Sequence, residues 1–262
     1  MFGWIILAIV VVFLAVILIR AALFTPKDAG QTEFEPVDFD RDAAVASLAE
    51  LIKCRTVSYN DSSLEDNAEF EKLISKLPVL FPNVVKTCPM QRMDGRALLF
   101  RWKGKGDGAP AVLMAHYDVV PVEEENWTHP AFDAEITDGI MWGRGTLDTK
   151  VTFNGILSAA ENLIKQGFVP ENDIYFAFSG GEEVNGPGAK NIVKYFKEHG
   201  VTPEMVVDEG GAVVDNVFPG VTQPCGLIGI AEKGMLNLEY SLASSGGHAS
   251  APAPHTPVGR LS

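Results

Sequence analysis

A chain of 262 residues, 47% of them apolar, has enough hydrophobic material for one large domain or two small ones and is not a disordered polymer. Its net charge of −13, with the acids spread along the chain rather than gathered in a tail, excludes an electrostatic nucleic-acid surface and favours a small or uncharged substrate. Three widely spaced cysteines, Cys54, Cys88 and Cys225, make neither a disulfide framework nor a CxxC metal knuckle and read as buried free thiols.

Met1 to Ile19 carries no charged or strongly polar side chain, and as a helix it would extend about 28 Å, close to the hydrocarbon thickness of a bilayer. Residues 1–24 therefore read as a transmembrane anchor or signal segment. The absence of Lys or Arg before the apolar run, and the length of that run, favour a single-pass anchor over a cleaved signal peptide or a buried core helix. Arg20 and Lys27 favour a cytoplasmic C-terminal side, but Asp28, Glu33 and Glu35 dilute that bias. Residues 25–39, rich in Pro, Gly, Asp and Glu and without apolar period, read as a linker.

From residue 40 the pattern becomes that of a globule. Val45, Leu48, Leu51 and Ile52, then Phe70, Leu73, Ile74 and Leu77, recur at helical spacing. Ala97–Trp102 and Ala111–Ala115 read as two strands joined by a Gly-rich, hairpin-like link. A helix is predicted over Thr152–Gln166, stopped at Gly167, then a buried strand over Ile174–Phe178. A further helix places Ala189, Ile192, Val193 and Phe196 on one face and ends at Gly200, and Met205–Val207 reads as a short buried strand. Alternation of strand and helix gives the class α/β. After about Ala231, Leu236, Leu238, Tyr240 and Leu242 alternate with polar or small residues, as in a half-exposed strand, so a second domain begins there.

Four places in this pattern carry chemistry. His116 and Asp118 stand two apart at the end of an apolar strand, where α/β proteins place ligands and where an acid can fix an imidazole's tautomer. Asp148 follows the Gly-rich turn Gly143-Arg-Gly and precedes a helix, a position that also suits a plain N-cap. Glu182 and Glu183 end a buried strand, where adjacent acids repel unless solvated or bound to cations. Asp208 ends another apolar strand and is followed by Glu-Gly-Gly, which read alone is an ordinary turn. Repetition argues for more: three strand ends and one helix start each present an acid or imidazole, and hard oxygen donors with histidine suit zinc, manganese or cobalt.

The order HxD, an acid after GRG, then EE, then DEGG closely resembles the M20 family of metallopeptidases over residues 40–262. Within it, Val119-Val-Pro-Val-Glu, Trp127, His129-Pro-Ala-Phe132 and Trp142-Gly-Arg-Gly are most similar to the carboxypeptidase S and N-fatty-acyl-amino-acid hydrolase branch. The resemblance implies a mixed sheet flanked by helices, a zinc-exopeptidase-like catalytic domain whose N-terminal part is 40–230. It also implies the start of an inserted α+β lid or dimerisation domain at 231–262, and a homodimer through it. Two zinc ions are implied, with cobalt or manganese as substitutes: His116 and Asp208 on one, Glu183 on the other, Asp148 bridging. Catalytic roles fall to Glu182 as general base, to Asp118 behind His116, and to His248 of Gly246-Gly-His-Ala-Ser as an oxyanion or carboxylate binder reaching a partner's site.

A cis peptide at Asp148–Thr149 belongs to the same set of implications. Gly181 and Thr149 stand where the family more often has polar or acidic residues, and the second zinc's last ligand is implied to be a histidine beyond residue 262. The implied activity is metal-dependent hydrolysis of a peptide or N-acyl-amino-acid amide bond, on the extracytoplasmic side of a membrane. The alternative is an inactive fragment or a non-catalytic metal-binding protein of the same fold.

Overall fold

The first helix, α1 (Phe2–Ala22), is apolar on every side and ends with Arg20 in its last turn. In the computed structural model, residues 2–24, 37–217, 219–231, 233–234, 236, 238–248, 250–252 and 254–262 are described, so most of the linker 25–39 lies outside them. The chain divides into two units, Met1–Asp40 and Arg41–Ser262. Within the first, Gly3–Ala22 has mean hydropathy 3.1 and no buried residue, which makes it long and apolar enough to cross a membrane.

The second unit opens with α2 (Arg41–Ile52), α3 (Asn67–Leu80) and α4 (Pro82–Thr87). Asp66 caps α3 by accepting from the Ala68 N–H at 2.9 Å, and its apolar stripe of Phe70, Leu73, Ile74 and Leu77 is buried, as the spacing predicts. Strands β1 (Met90–Met93), β2 (Ala97–Trp102) and β3 (Ala111–His116) follow, then a small hairpin of β4 (Glu135–Thr137) and β5 (Ile140–Trp142). Next come α5 (Lys150–Lys165), β6 (Ile174–Ser179), α6 (Gly188–Glu198), β7 (Met205–Val207), the pair β8 (Ala212–Val214) and β9 (Cys225–Leu227), and α7 (Pro257–Leu261). Gly167 and Gly200 follow α5 and α6 with φ of 79° and 65°, left-handed stops that cost glycine little.

The main sheet has five strands in the order β1-β2-β6-β3-β7. β1, β2 and β6 pair antiparallel, whereas β6, β3 and β7 run parallel, giving the mixed sheet expected. Side chains alternate across it. Leu98, Phe100, Trp102, Phe176 and Phe178 meet Leu51, Phe70, Leu73, Leu77, Phe153 and Leu157 on one face. Ala97, Leu99, Val112, Tyr175 and Ala177 meet Ile192 and Phe196 of α6 on the other. Each core aromatic removed from water contributes roughly 2–3 kcal/mol, so this two-sided burial holds the strand ends in place.

Three strand readings are corrected. β2 and β3 do not form a hairpin, because β6 lies between them, antiparallel to one and parallel to the other; ten or more residues after β3 are needed before a parallel partner can return. β7 forms where expected but is an edge strand, with Met205, Val206 and Val207 exposed, since it pairs only with β3 among the described residues. Leu236, Leu238, Tyr240 and Leu242 form no strand and are exposed. Alternation creates a strand only when another backbone completes its hydrogen bonds, and no described residue does so here. Cys54 and Cys88 are buried free thiols, and Cys225 is free and partly exposed.

Candidate metal centre

The parallel strands β3, β6 and β7 all end on one edge of the sheet, and His116 is the last residue of β3. It is buried, at 2% exposure. Tyr117, fully buried, donates its hydroxyl to the Arg96 carbonyl at 2.7 Å. The ring of Tyr117 lies so close to the turn after β6 that a Cβ on Gly180 would come within 2.5 Å of it, which is why position 180 is a glycine. His116 Nδ1 faces the backbone carbonyl of Asp118 at 3.0 Å. A carbonyl only accepts, so Nδ1 carries a proton and Nε2 is turned to the cleft.

Asp118 has no exposed surface. Its carboxylate accepts the backbone N–H of Glu182 at 3.1 Å and of Glu183 at 3.3 Å, and lies 3.5 Å from His116 Nδ1. The residue thus stands behind His116, as the sequence reading has it, and also holds the turn that carries Glu182 and Glu183, which no spacing argument reveals.

Around Nε2 the structure gathers carboxylates. Asp148 Oδ1 is 3.0 Å away, Glu209 Oε1 3.2 Å and Glu182 Oε2 3.8 Å. Two sets place one donor atom each within 4.8 Å of one another: His116, Asp148 and Glu183, and His116, Glu182 and Glu209. The Asp148–Thr149 peptide is cis, and α5 is preceded by Thr149, not Asp148, at its cap, so the plain N-cap reading of Asp148 does not hold. A cleft of about 510 Å³ is lined by His116, Ser179, Glu182, Asn185, Asp208 and Glu209 among others.

Two further predicted residues lie outside the side chains gathered at His116 Nε2. Asp208 borders the cleft but is exposed, and its Oδ1 accepts from the Glu209 N–H at 2.9 Å; the carboxylate that meets His116 is that of Glu209. Neighbouring residues at a strand end point to opposite sides, and Gly210 and Gly211, at φ of 106° and 76°, turn the chain so that Glu209 faces inward. Glu209 was legible only as the second member of an adjacent acid pair at a strand end, the same signal that marks Glu182–Glu183. His248 makes its contact with Ser250, Nδ1 to Oγ at 2.7 Å, in a separate depression shared with His255 and Arg260.

The electrostatics describe a site short of positive charge. Burial works against a charge on His116, but hydrogen bonding to Asp118 and the fields of Glu209 and Asp118 outweigh it and raise its pKa to about 10. Burial raises the carboxyl pKa values of Glu182, Glu183 and Glu209, and neighbouring acids add to this against the opposing charge of His116. One imidazole among this many acids cannot neutralise them, and the donor set of imidazole nitrogen with carboxylate oxygens is one that divalent zinc, manganese or cobalt accepts.

Comparison with known proteins identifies relatives of this chain. Over 221 residues, 82% of the chain, the sequence is 38% identical to a probable carboxypeptidase S-like protein of Dictyostelium discoideum, covering 43% of that protein. It is 36% identical over 234 residues, 86% of the chain, to the N-fatty-acyl-amino acid synthase/hydrolase PM20D1 of Homo sapiens, covering 46% of it. The chain thus spans a little under half the length of these relatives. Among solved structures the fold matches human carnosine dipeptidase 1, with TM-score 0.56 and 16% identity over 66% of this chain and 40% of that one. It also matches the metallo-carboxypeptidase Sso-CP2 of Sulfolobus solfataricus, with TM-score 0.52 and 19% identity over 68% and 39%. Residues 112–258 match the family described as Peptidase family M20/M25/M40, a stretch that contains every predicted site residue, and the chain belongs to that family.

Proposed function

We propose that the protein is a metal-dependent hydrolase that cleaves a peptide or N-acyl-amino-acid amide bond, with zinc as its metal. The observation that carries this reading is the ring of carboxylates around His116 Nε2, whose other nitrogen is committed to the Asp118 carbonyl. His116, Asp148 and Glu183 would hold an ion, and Asp208 and Glu209 border the same cleft. When bound, a divalent metal supplies Lewis acidity that polarises the scissile carbonyl and acidifies water.

The chain's own residues supply the proton traffic. Glu182, held at the cleft by its backbone N–H on Asp118, takes a proton from the attacking water. As the C–N bond breaks it returns that proton to the departing nitrogen, so that acid and amine leave with their atoms balanced. The raised carboxyl pKa of Glu182 suits a group that must both accept and release a proton near neutrality. The names of the similar proteins, carboxypeptidase S-like and N-fatty-acyl-amino acid synthase/hydrolase, support a substrate with an amide next to an amino-acid carboxylate.

Zinc uptake followed by thermal unfolding tests the reading. His116 has its pKa raised from 6.5 to about 10, so in the metal-free protein its charge stabilises the fold fully below about pH 6.5 and that contribution is lost as pH rises to about 10. The raised carboxyl groups act in the same sense. A metal must displace the His116 proton, so the rise in Tm on adding zinc should be larger at pH 8 than at pH 6. No zinc uptake at either pH overturns the reading. Uptake without hydrolysis of acyl-amino acids or peptides would leave a metal-binding protein of the same fold.

The 20-residue apolar stretch Gly3–Ala22 supports a membrane anchor, which sets the active unit beside a bilayer. Residues 1–262 should float with lipid vesicles in a density gradient and residues 37–262 should not; equal behaviour of the two would remove the anchor.

A further inference from the structure

Lys150 is the first residue of α5, two positions after Asp148, and none of it is exposed. A lysine this deep must have its ammonium satisfied, and it makes no ion pair among the described residues. Instead Nζ donates to two backbone carbonyls, Leu51 at 3.1 Å and Cys54 at 2.5 Å. Leu51 is in the last turn of α2 and Cys54 lies two residues past its end, where the helix dipole favours a cation. The lysine stem packs over Gly145, where an added Cβ would come within 3.1 Å of its Cδ and 3.0 Å of Val119 Cγ1.

The segment that Lys150 grips is itself tied to His116 and Asp118. Thr56 donates its hydroxyl to the Tyr117 carbonyl at 2.5 Å. The Val119 N–H donates to the Thr56 carbonyl at 2.9 Å, and the Ser58 N–H to the Val119 carbonyl at 3.0 Å, so residues 56–58 run alongside 117–119 as a short parallel bridge. Asp148 and His116, 3.0 Å apart across the cleft, are therefore the two ends of one frame: His116 through Tyr117 and Val119 to Thr56, and Asp148 through Lys150 to Cys54.

We propose that Lys150 is a positioning residue for the metal centre, its buried amine fixing Asp148 at the distance from His116 at which both can share an ion. This rests on the metal-site reading above. It assigns Lys150 no contact with metal or substrate.

The test uses the chain as it is. Lys150→Met keeps the stem and removes the donors. Asn154→Ala is the control: it lies one helical turn on along α5 and cuts the other polar link to α2, the contact with Ser47 at 2.7 Å and with the Ala44 carbonyl at 3.0 Å. Zinc affinity, the visible spectrum of bound cobalt(II) and Tm in chelator are measured for each. Loss of a group that orients metal ligands typically weakens the metal about 10- to 100-fold. K150M should show a loss in that range with an altered cobalt spectrum, whereas N154A lowers Tm and leaves both metal readouts near wild type.

Zinc bound by K150M as tightly as by wild type, or losses in the two variants that simply follow their Tm, overturns the inference. If K150M does not fold, Thr56→Val removes the hydroxyl stitch to Tyr117 on the other arm of the frame, and an unchanged zinc affinity there overturns it equally. A wild-type chain that takes up no zinc sinks the metal reading itself, a result distinct from either.

Discussion

Replacing Glu182 by glutamine in the hydrolytically active protein should lower kcat by about 10²- to 10⁴-fold, the usual worth of a general acid–base, while the metal content stays as it was. Glutamine keeps the length of the side chain and the backbone N–H on Asp118, but its amide does not carry the proton. Asp148→Ala should do the opposite, losing metal first and activity as a consequence, because Asp148 stands 3.0 Å from His116 Nε2. Kinetics and metal analysis on the same preparations separate the two. A Glu182→Gln protein with wild-type turnover removes Glu182 from the proton transfer, and an Asp148→Ala protein that retains full metal removes Asp148 from the ligand set.

Asp118→Ala should be the most destabilising substitution in the site. It deprives two backbone N–H groups, those of Glu182 and Glu183, of a buried acceptor in a part-buried turn. Leaving a buried donor unmade costs roughly 1–3 kcal/mol, so a loss of about 2 kcal/mol is expected in urea unfolding of the metal-free chain. Asp118→Asn should cost less, since its carboxamide oxygen still accepts one of the two. Both should also weaken metal binding, because Glu183 and His116 lose a common support. A midpoint for Asp118→Ala equal to that of wild type would show that the carboxylate is not what holds the turn.

Much of this was legible in the sequence, for reasons that differ by element. The stripes of α3, α5 and α6 and the apolar runs of β2, β3 and β6 are local periodicities, and local patterns survive folding when a core awaits them. His116, Asp118, Asp148, Glu182 and Glu183 stand out in the sequence because each lies near the end of an apolar strand or the start of a helix. Strand order was not visible: the Gly-rich segment between β2 and β3 looks like a hairpin link, and only the burial of β6 between them decides otherwise. Nor was the approach of Glu209 to His116, which accompanies the left-handed turns of Gly210 and Gly211. Lys150 carries no signal in the sequence, since no periodicity tells that an amine will turn inward to carbonyls about 100 residues earlier in the chain.

Asp118 joins the end of β3 to the turn after β6, so His116, Glu182 and Glu183 move as one piece. Asp208 and Glu209 lack that link to Asp118: they follow an exposed edge strand and lead into two left-handed glycines, and Glu209 is held at His116 and Thr149 instead. The two sides of the cleft are therefore joined differently, one through hydrogen bonds to Asp118 and the other through Glu209 at His116. An ion placed between them would compete with the contact of Glu209 to His116 and leave the hydrogen bonds to Asp118 intact.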